Sequence, residues 1–244
     1  MNEEISRARR ELLATLPVPL TRADAKLLRL RLRVKLAAWE MSLSSVLTVK
    51  RLLDILISGS ALMIFSPFLL FVALLVWLDD PGPIFYTQTR VGQDGRLFRF
   101  YKFRSMRVGA DKMKDALIQQ NESKDGVIFK MKNDPRITRV GKYLRRFSVD
   151  EAPQILNVFF GDLAIVGPRP PIPREVALYT LEERKRLHVK PGLTCFWQIQ
   201  GRSDIPFKDQ VRLDLQYISS QSLLTDILII IKTVPAVLLG KGAY

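Results

Sequence analysis

Apolar residues change their spacing several times along the 244-residue chain, and each change predicts a different element. Before residue 50 the pattern is weak, broken by Pro17 and Pro19, except over 28–36, where apolar residues alternate with Arg or Lys (LRLRLRVKL). Strict alternation is the strand period. No turn signal or partner strand stands nearby, so a basic helix on a membrane surface is the favoured expectation. Over 55–78 no charge occurs at all, and about 20 apolar residues suffice to cross a bilayer as a helix. Ser66-Pro67 sits in the middle, where proline removes a backbone donor and kinks or breaks a helix. A kinked span satisfies this pattern, and so does a re-entrant hairpin. The flanks favour the hairpin, because basic residues ending in Lys50 and Arg51 precede the stretch while Arg90, Arg96, Arg99 and Lys102 follow it. Basic residues stay cytoplasmic, and a helix that enters, bends at Ser66-Pro67 and leaves by the same face keeps both flanks there.

Asp79-Asp80-Pro81-Gly82-Pro83 is a turn, and the alternation on either side of Gln93-Asp94-Gly95 predicts a β-hairpin. That hairpin brings Arg90, Lys102 and Arg104 to a shared region. Residues 110–125 read as a solvated helix. Asp134-Pro135-Arg136-Ile137-Thr138 opens another, whose Arg139, Lys142, Arg145 and Arg146 recur at spacings of three and four and so fall largely on one face. Residues 163–166 form a strand-like run ending in the stiff loop Gly167-Pro168-Arg169-Pro170. A loop and a charged helix are expected over 171–186, and a glycine-punctuated loop over 191–202. The apolar run 223–239 carries Asp226, Lys232 and Pro235. Spanning would bury Lys232 at about 2.5–3.5 kcal/mol, so an amphipathic helix on the domain or in the headgroup layer is expected. The pattern predicts an α/β (α+β) fold. A basic extension (1–49) leads into a re-entrant membrane hairpin (50–80) and a small cytoplasmic domain with amphipathic interfacial helices (81–244).

Composition adds a partner class. The net charge is +14 although 48% of residues are hydrophobic, which points to nucleic acid, acidic headgroups or phosphorylated substrates. The single cysteine, Cys195, excludes an internal disulfide and reads as a small core residue. One histidine, His188, leaves no room for a histidine-based metal site or a Ser-His-Asp triad, and reads as a surface residue. The first residues are polar and charged, so no cleavable signal peptide is expected.

The densest chemistry lies over 145–170 (RRFSVDEAPQILNVFFGDLAIVGPRP). Adjacent carboxylates such as Asp150 and Glu151 divide labour, one attacking while the other holds a metal or moves a proton. The cations around them fit an anionic substrate such as a phosphate, which a carboxylate approaches only with charge compensation. A plainer reading makes Ser148 a helix N-cap and Glu151 its N3 partner in a capping box. The two readings are compatible, because a helix N-terminus suits a phosphate.

Several of these pieces stand in one order: Lys50-Arg51 and Asp54, Ser66-Pro67, Pro83-Ile84-Phe85 with Gln88, Arg90 and Gly92, then YKFRSM over 101–106. DPRIT over 134–138, Asp150-Glu151, GPRP over 167–170 and the loop at 191–202 follow. With them the chain, from about residue 50 onward, resembles the bacterial sugar transferases, the monotopic phosphoglycosyl transferases. The resemblance implies transfer of a sugar 1-phosphate from a UDP-sugar to polyprenyl phosphate with release of UMP, at the cytoplasmic face of the bacterial inner membrane. It implies Asp150 as the nucleophile forming a covalent phosphosugar, and Glu151 as the Mg²⁺ ligand with a share in proton transfer. It further implies Pro168, Arg169 and Pro170 as a nucleotide-contacting loop, Ser66-Pro67 as the membrane break, and phosphate-binding roles for Lys102, Arg104, Arg136, Arg145 and Arg202. Downstream glycosyltransferases and a second copy of the chain are further expected partners, and nucleic acid is not.

Two positions depart from the family pattern. Ala152 replaces a common leucine, and Cys195-Phe196-Trp197 replaces glycine-tryptophan-alanine, a variation similar to that of exopolysaccharide and capsule members. The sugar therefore stays open. A basic membrane adaptor without catalysis is the rival class, and a transferase with direct lipid attack on the donor is the rival mechanism. A recognisable nucleic-acid reading motif is missing.

Overall fold

The computed structural model describes residues 22–110, 112–113, 131, 134–201 and 205–239. Arg202, residues 1–21 and most of the helix expected over 110–125 lie outside these. The chain divides into two compact units, Met1–Leu53 and Asp54–Tyr244. Helix α1, Arg22–Asp79, supplies the described part of the first unit and continues into the second. The alternating run at 28–36 is thus helical, as favoured. With no partner strand among the described residues, the backbone satisfies itself within a helix, and Leu30 and Val34 stand exposed beside exposed Arg31, Arg33 and Lys35.

The stretch 46–79 of α1 is long and apolar enough to cross a membrane. The expected helix–break–helix is corrected in one respect: helical structure runs through Ser66-Pro67 without interruption. Pro67 frees the carbonyl of Met63, four residues back, and the Ser66 hydroxyl donates to that carbonyl at 3.0 Å. That bond replaces the missing backbone donor. Within the second unit the two ends of this stretch are buried, at Asp54 and Ser58 and again at Val72 and Val76. Residues 63–68 between them are exposed on every side of the helix.

Strands β1 (Phe85–Val91) and β2 (Leu97–Phe103) pair antiparallel, with Tyr86 opposite Lys102 and Arg90 opposite Phe98. The turn between them holds Asp94 at φ 54° and Gly95 at φ 84°, left-handed positions that aspartate and glycine tolerate best. Helix α2 (Arg139–Arg146) is N-capped by Thr138, whose hydroxyl accepts from the Gly141 N–H at 2.9 Å. Helix α3 (Gln154–Phe160) follows the Asp150-Glu151 pair. Its buried Asn157 clamps the free edge of β2, accepting from the Tyr101 N–H at 3.2 Å and donating to the Arg99 carbonyl at 2.6 Å. One side chain therefore does the work of a neighbouring strand.

Strand β3 (Ala164–Val166) pairs in parallel with β4 (Gly192–Thr194). The loop expected at 191–202 is thereby corrected to strand β4 followed by helix α6 (Phe196–Gln200). A three-residue strand is too short to leave a period in the sequence. The other edge of β3 is closed by Asp54, whose carboxylate accepts from the Ile165 N–H at 3.0 Å. Where β3 and β4 lead into the Gly167 loop, backbones approach so closely that a Cβ on Gly192 would lie 2.1 Å from the Gly167 nitrogen. Between the strands the charged helix of 171–186 is broken into α4 (Pro173–Ala177), α5 (Leu181–Arg184) and a 3₁₀ turn. Helices α7 (Phe207–Ser219) and α8 (Leu223–Leu239) complete the unit. The Tyr217 hydroxyl of α7 bonds Asp226 of α8 and the Val166 carbonyl. Leu224, Ile227, Leu228, Ile231 and Val234 stay exposed on α8. The free thiol of Cys195 is buried and His188 is exposed, as expected.

Candidate active site

A cleft of about 690 Å³ opens where the hairpin, the Asp150-Glu151 turn and the Gly167–Pro170 loop meet. That volume suits a cofactor-sized ligand. Lys102, Arg104, Arg136, Arg145, Asp150, Glu151, Arg169 and Pro170 all line it, so the structure gathers most of the residues singled out from sequence. Pro168 is buried behind the loop, its carbonyl accepting from the Gly192 N–H at 2.9 Å.

The carboxylate pair sits in a 3₁₀ turn, Val149–Glu151, rather than at the start of a regular α-helix. Ser148 occupies the cap position with φ 54° and makes no capping hydrogen bond through its side chain. The capping-box reading is thus corrected, because the Glu151 carboxylate turns into the cleft. Its Oε1 accepts from Lys102 Nζ at 2.7 Å and from an Arg169 guanidinium nitrogen at 2.7 Å, while Oε2 lies 3.4 Å from the second Arg169 nitrogen. Asp150 is also buried, but its nearest cation contact is looser, with Lys102 Nζ 3.9 Å from Oδ2. The two neighbours therefore differ chemically. Burial pushes the Asp150 carboxyl up, against the pull of Lys102. On Glu151 burial works in the same sense, yet the Arg169 and Lys102 charges outweigh it and hold that carboxyl well below the usual range. One carboxylate is locked and compensated, the other desolvated and held loosely, which is the separation expected of a pair with two roles.

Arg169 is fixed from behind. Arg90 donates to the Pro170 carbonyl at 2.8 Å, the Val91 N–H donates to Pro171 at 2.9 Å, and the Gly167 N–H donates to Thr194 at 3.0 Å. Arg90 and Lys102 flank the buried Phe100 ring at 5.1 and 5.6 Å. Burial, then the Arg169 charge, brings the Arg90 guanidinium down to about 10. Sequence reasoning brought Arg90 to the region without seeing its target, and missed Asn157 altogether. Neither contact leaves a local pattern, since their partners lie 80 and 56 to 58 residues away.

The other cations differ in how far they are committed. Arg136 is bound by Asp134 through contacts of 2.6 to 3.1 Å, so its fork braces the loop before α2. Arg104 bonds the Asp80 carbonyl and lies 3.6 Å from the Asp80 carboxylate, yet its Nε and one terminal nitrogen are buried without a hydrogen-bond partner. Unpaired guanidinium nitrogens in a cleft wall suit an anionic ligand. Arg145 lines the cleft half-buried, whereas its neighbour Arg146 is exposed over the Phe147 ring. Among the described residues no group of three or more His, Cys, Asp or Glu side chains is placed to hold a metal.

The sequence is similar to several sugar-transfer and exopolysaccharide-production proteins. It is 46% identical to the galactosyl transferase CpsE of Streptococcus agalactiae, over 82% of this chain and 44% of that protein. It is 40% identical to the exopolysaccharide production protein ExoY of Rhizobium meliloti, over 80% of this chain and 88% of that one. Identity to the undecaprenyl-phosphate galactose phosphotransferase of Salmonella typhimurium is also 40%, over 80% of this chain and 42% of the relative. The chain thus spans less than half the length of the first and third. Residues 45–240 match the family model described as bacterial sugar transferase, and the chain belongs to that family.

Proposed function

We propose that the chain transfers a sugar 1-phosphate from a UDP-sugar to a polyprenyl phosphate such as undecaprenyl phosphate, releasing UMP and starting assembly of an exopolysaccharide or capsule glycan. The observation that carries this reading is the unequal pair: Asp150 loosely held and desolvated beside Glu151 locked by Lys102 and Arg169. In the first step an Asp150 carboxylate oxygen attacks the sugar-bearing phosphorus. A phosphorus–oxygen bond forms to Asp150, the bond to the bridging diphosphate oxygen breaks, and UMP leaves with that oxygen. In the second step an oxygen of the lipid phosphate attacks the same phosphorus, forming a diphosphate and returning Asp150 to its carboxylate. A covalent intermediate lets one site serve a polar donor and a lipid acceptor in turn. The half-buried Arg145 lines the cleft beside Arg104 and is available to the phosphate oxygens. Glu151 stays ionised under the charges of Arg169 and Lys102, so it holds charge and geometry rather than carrying the proton.

The residues fit Mg²⁺ as a metal that keeps water and substrate ligands. Among the described residues Glu151 Oε2 has one long contact, at 3.4 Å, and a carboxylate oxygen accepts more than one bond. Glu151, with the phosphates, would hold the ion, which neutralises charge on a diphosphate when bound.

The same reading places the chain on the cytoplasmic face as a monotopic protein. The stretch 54–76 has both ends buried in one compact unit and its middle exposed on every side. Basic residues on both flanks support a segment that keeps both ends on one face, and its exposed apolar middle supports insertion into lipid, with the Ser66–Met63 bond covering the carbonyl that Pro67 frees. The test is nucleotide release with undecaprenyl phosphate, Mg²⁺ and a panel of UDP-sugars, with mass spectrometry of the protein quenched after donor alone. A phosphosugar adduct on Asp150, lost in Asp150→Asn, is expected. Turnover without an adduct would refute the covalent route, and absence of turnover with every donor would refute the transferase reading.

A further inference from the structure

Helix α2 has two faces of different character. Val140, Gly141 and Leu144 turn inward. Val140 and Leu144 pack with Val72 and Val76 of α1, and a Cβ on Gly141 would lie 2.1 Å from the Ser105 carbonyl oxygen. The other side presents Arg139, Lys142, Tyr143, Arg146 and Phe147, all of them exposed. Steps of three and four residues set these side chains in one stripe along the helix. The stripe joins cations to aromatic rings, with Tyr143 64% and Phe147 40% exposed, and α2 carries no acid to offset the charge. Water accommodates the charges but gains nothing from bare rings, whereas the headgroup layer of a membrane takes both.

The level of α2 is set by α1. The charge-free stretch 55–78 ends at Asp79, the last residue of that helix. The Asp79 carboxylate accepts from the Val140 N–H at 2.8 Å, one of the first-turn donors that a helix leaves without an internal partner. Two residues before Asp79, Trp77 is exposed, and tryptophan favours the membrane–water interface. The place where the apolar helix meets its first charge is therefore the place from which α2 hangs.

We propose, resting on the membrane placement above, that this stripe of α2 docks on acidic phospholipid headgroups. Zwitterionic headgroups offer no net charge to three cations, while each cation near an anionic surface strengthens attachment about fivefold. Arg145 leaves the stripe and lines the cleft, where its charge acts on Asp150. One short helix thus carries cations to both the lipid surface and the reaction site, so docking brings the headgroup layer to the rim from which an anionic lipid acceptor reaches Asp150.

The experiment places the full-length protein in nanodiscs of equal phosphatidylcholine and phosphatidylglycerol, with a fluorophore on Tyr143→Cys. Cys195 is buried and stays unlabelled in the folded protein. A trace of either lipid, spin-labelled near its headgroup, then serves as quencher. The phosphatidylglycerol form should quench on the order of threefold more strongly. In Arg139→Gln/Lys142→Gln/Arg146→Gln, or in high salt that screens the charges, the two lipids should quench equally. All three side chains are exposed, so the fold is not at stake. Equal quenching by both lipids with the stripe intact at low salt would overturn the demand for acidic headgroups. A preference that survives the triple substitution would assign it to other cations and overturn the role of α2. A second label, on Met63→Cys in the exposed middle of the apolar stretch, reports insertion itself. Quenching at 63 without quenching at 143 would overturn the docking and leave the insertion standing, whereas silence at both would overturn both.

Discussion

Lys102 stands between the two carboxylates, and replacing it with methionine separates their roles experimentally. Its ammonium lies 3.9 Å from Asp150 and 2.7 Å from Glu151. At an effective dielectric near 20, a unit pair at that longer distance interacts by about 4 kcal/mol. The cleft is open to water, so only part of this reaches Asp150. A quarter of it is still about 1 kcal/mol, roughly fivefold in the ionised fraction on the acidic limb. The sign follows from the burial of Asp150. Its carboxyl is already raised, so the proposed attack is lost as pH falls through that raised value, and Lys102 is the first of the charges that oppose the rise. Lys102→Met removes the opposition. The acidic limb of the kcat/KM profile should move to higher pH, with about fivefold activity lost on that limb and little on the plateau above it. Glu151 keeps Arg169 and stays ionised, so no second limb should enter this window. Initial rates of nucleotide release between pH 5 and 9 measure the effect. A loss equal on the limb and on the plateau, or a limb displaced downward, would refute the assignment of the acidic limb to Asp150.

Three further outcomes test the scaffold. Asp54→Ala leaves the Ile165 N–H without its acceptor, and thermal unfolding should show about 1–3 kcal/mol of lost stability. An unchanged melting temperature would show that this bond is worth nothing. Arg186→Met strands the buried Asp214 carboxylate and should cost about 3–5 kcal/mol, most of it recovered in Arg186→Met/Asp214→Leu. A double variant no more stable than the single one would contradict that account. Pro67→Ala restores the backbone donor to Met63 and should favour a straight crossing, moving an N-terminal tag across the membrane. A tag accessible only from the cytoplasmic side in both proteins would count against it.

Much of this was legible in the chain, but unevenly. The hairpin was readable because alternation persists for seven residues on each side of a turn that demands positive φ. The long apolar stretch was readable because its pattern is local. The gathering of Lys102, Arg104, Arg145 and Arg169 around the carboxylates followed from motif order. What resisted reading was non-local or brief. Strand β4 is three residues long and borrows its register from β3. Asn157 and Arg90 bond carbonyls or amides, which every residue offers, so no partner type marks them. The Ser148-x-x-Glu151 spacing suggested a cap, and the Lys102 and Arg169 charges drew the glutamate elsewhere. Charge at 2.7 Å outweighed a local hydrogen bond.

The bond from Asp54 to Ile165 has a consequence for how the protein can be handled. Ile165 lies four residues before Arg169, and Val72 and Val76 of the same helix pack with Phe103 and Leu144. The apolar segment is therefore a wall of the domain as well as its anchor. A shortened chain beginning after Asp80 would not be a water-soluble edition of the domain. It would expose the packing face of Phe103 and leave the strand that leads to Arg169 with an open edge. Detergent and lipid then become structural variables, since whatever displaces that helix acts four residues from the guanidinium that holds Glu151.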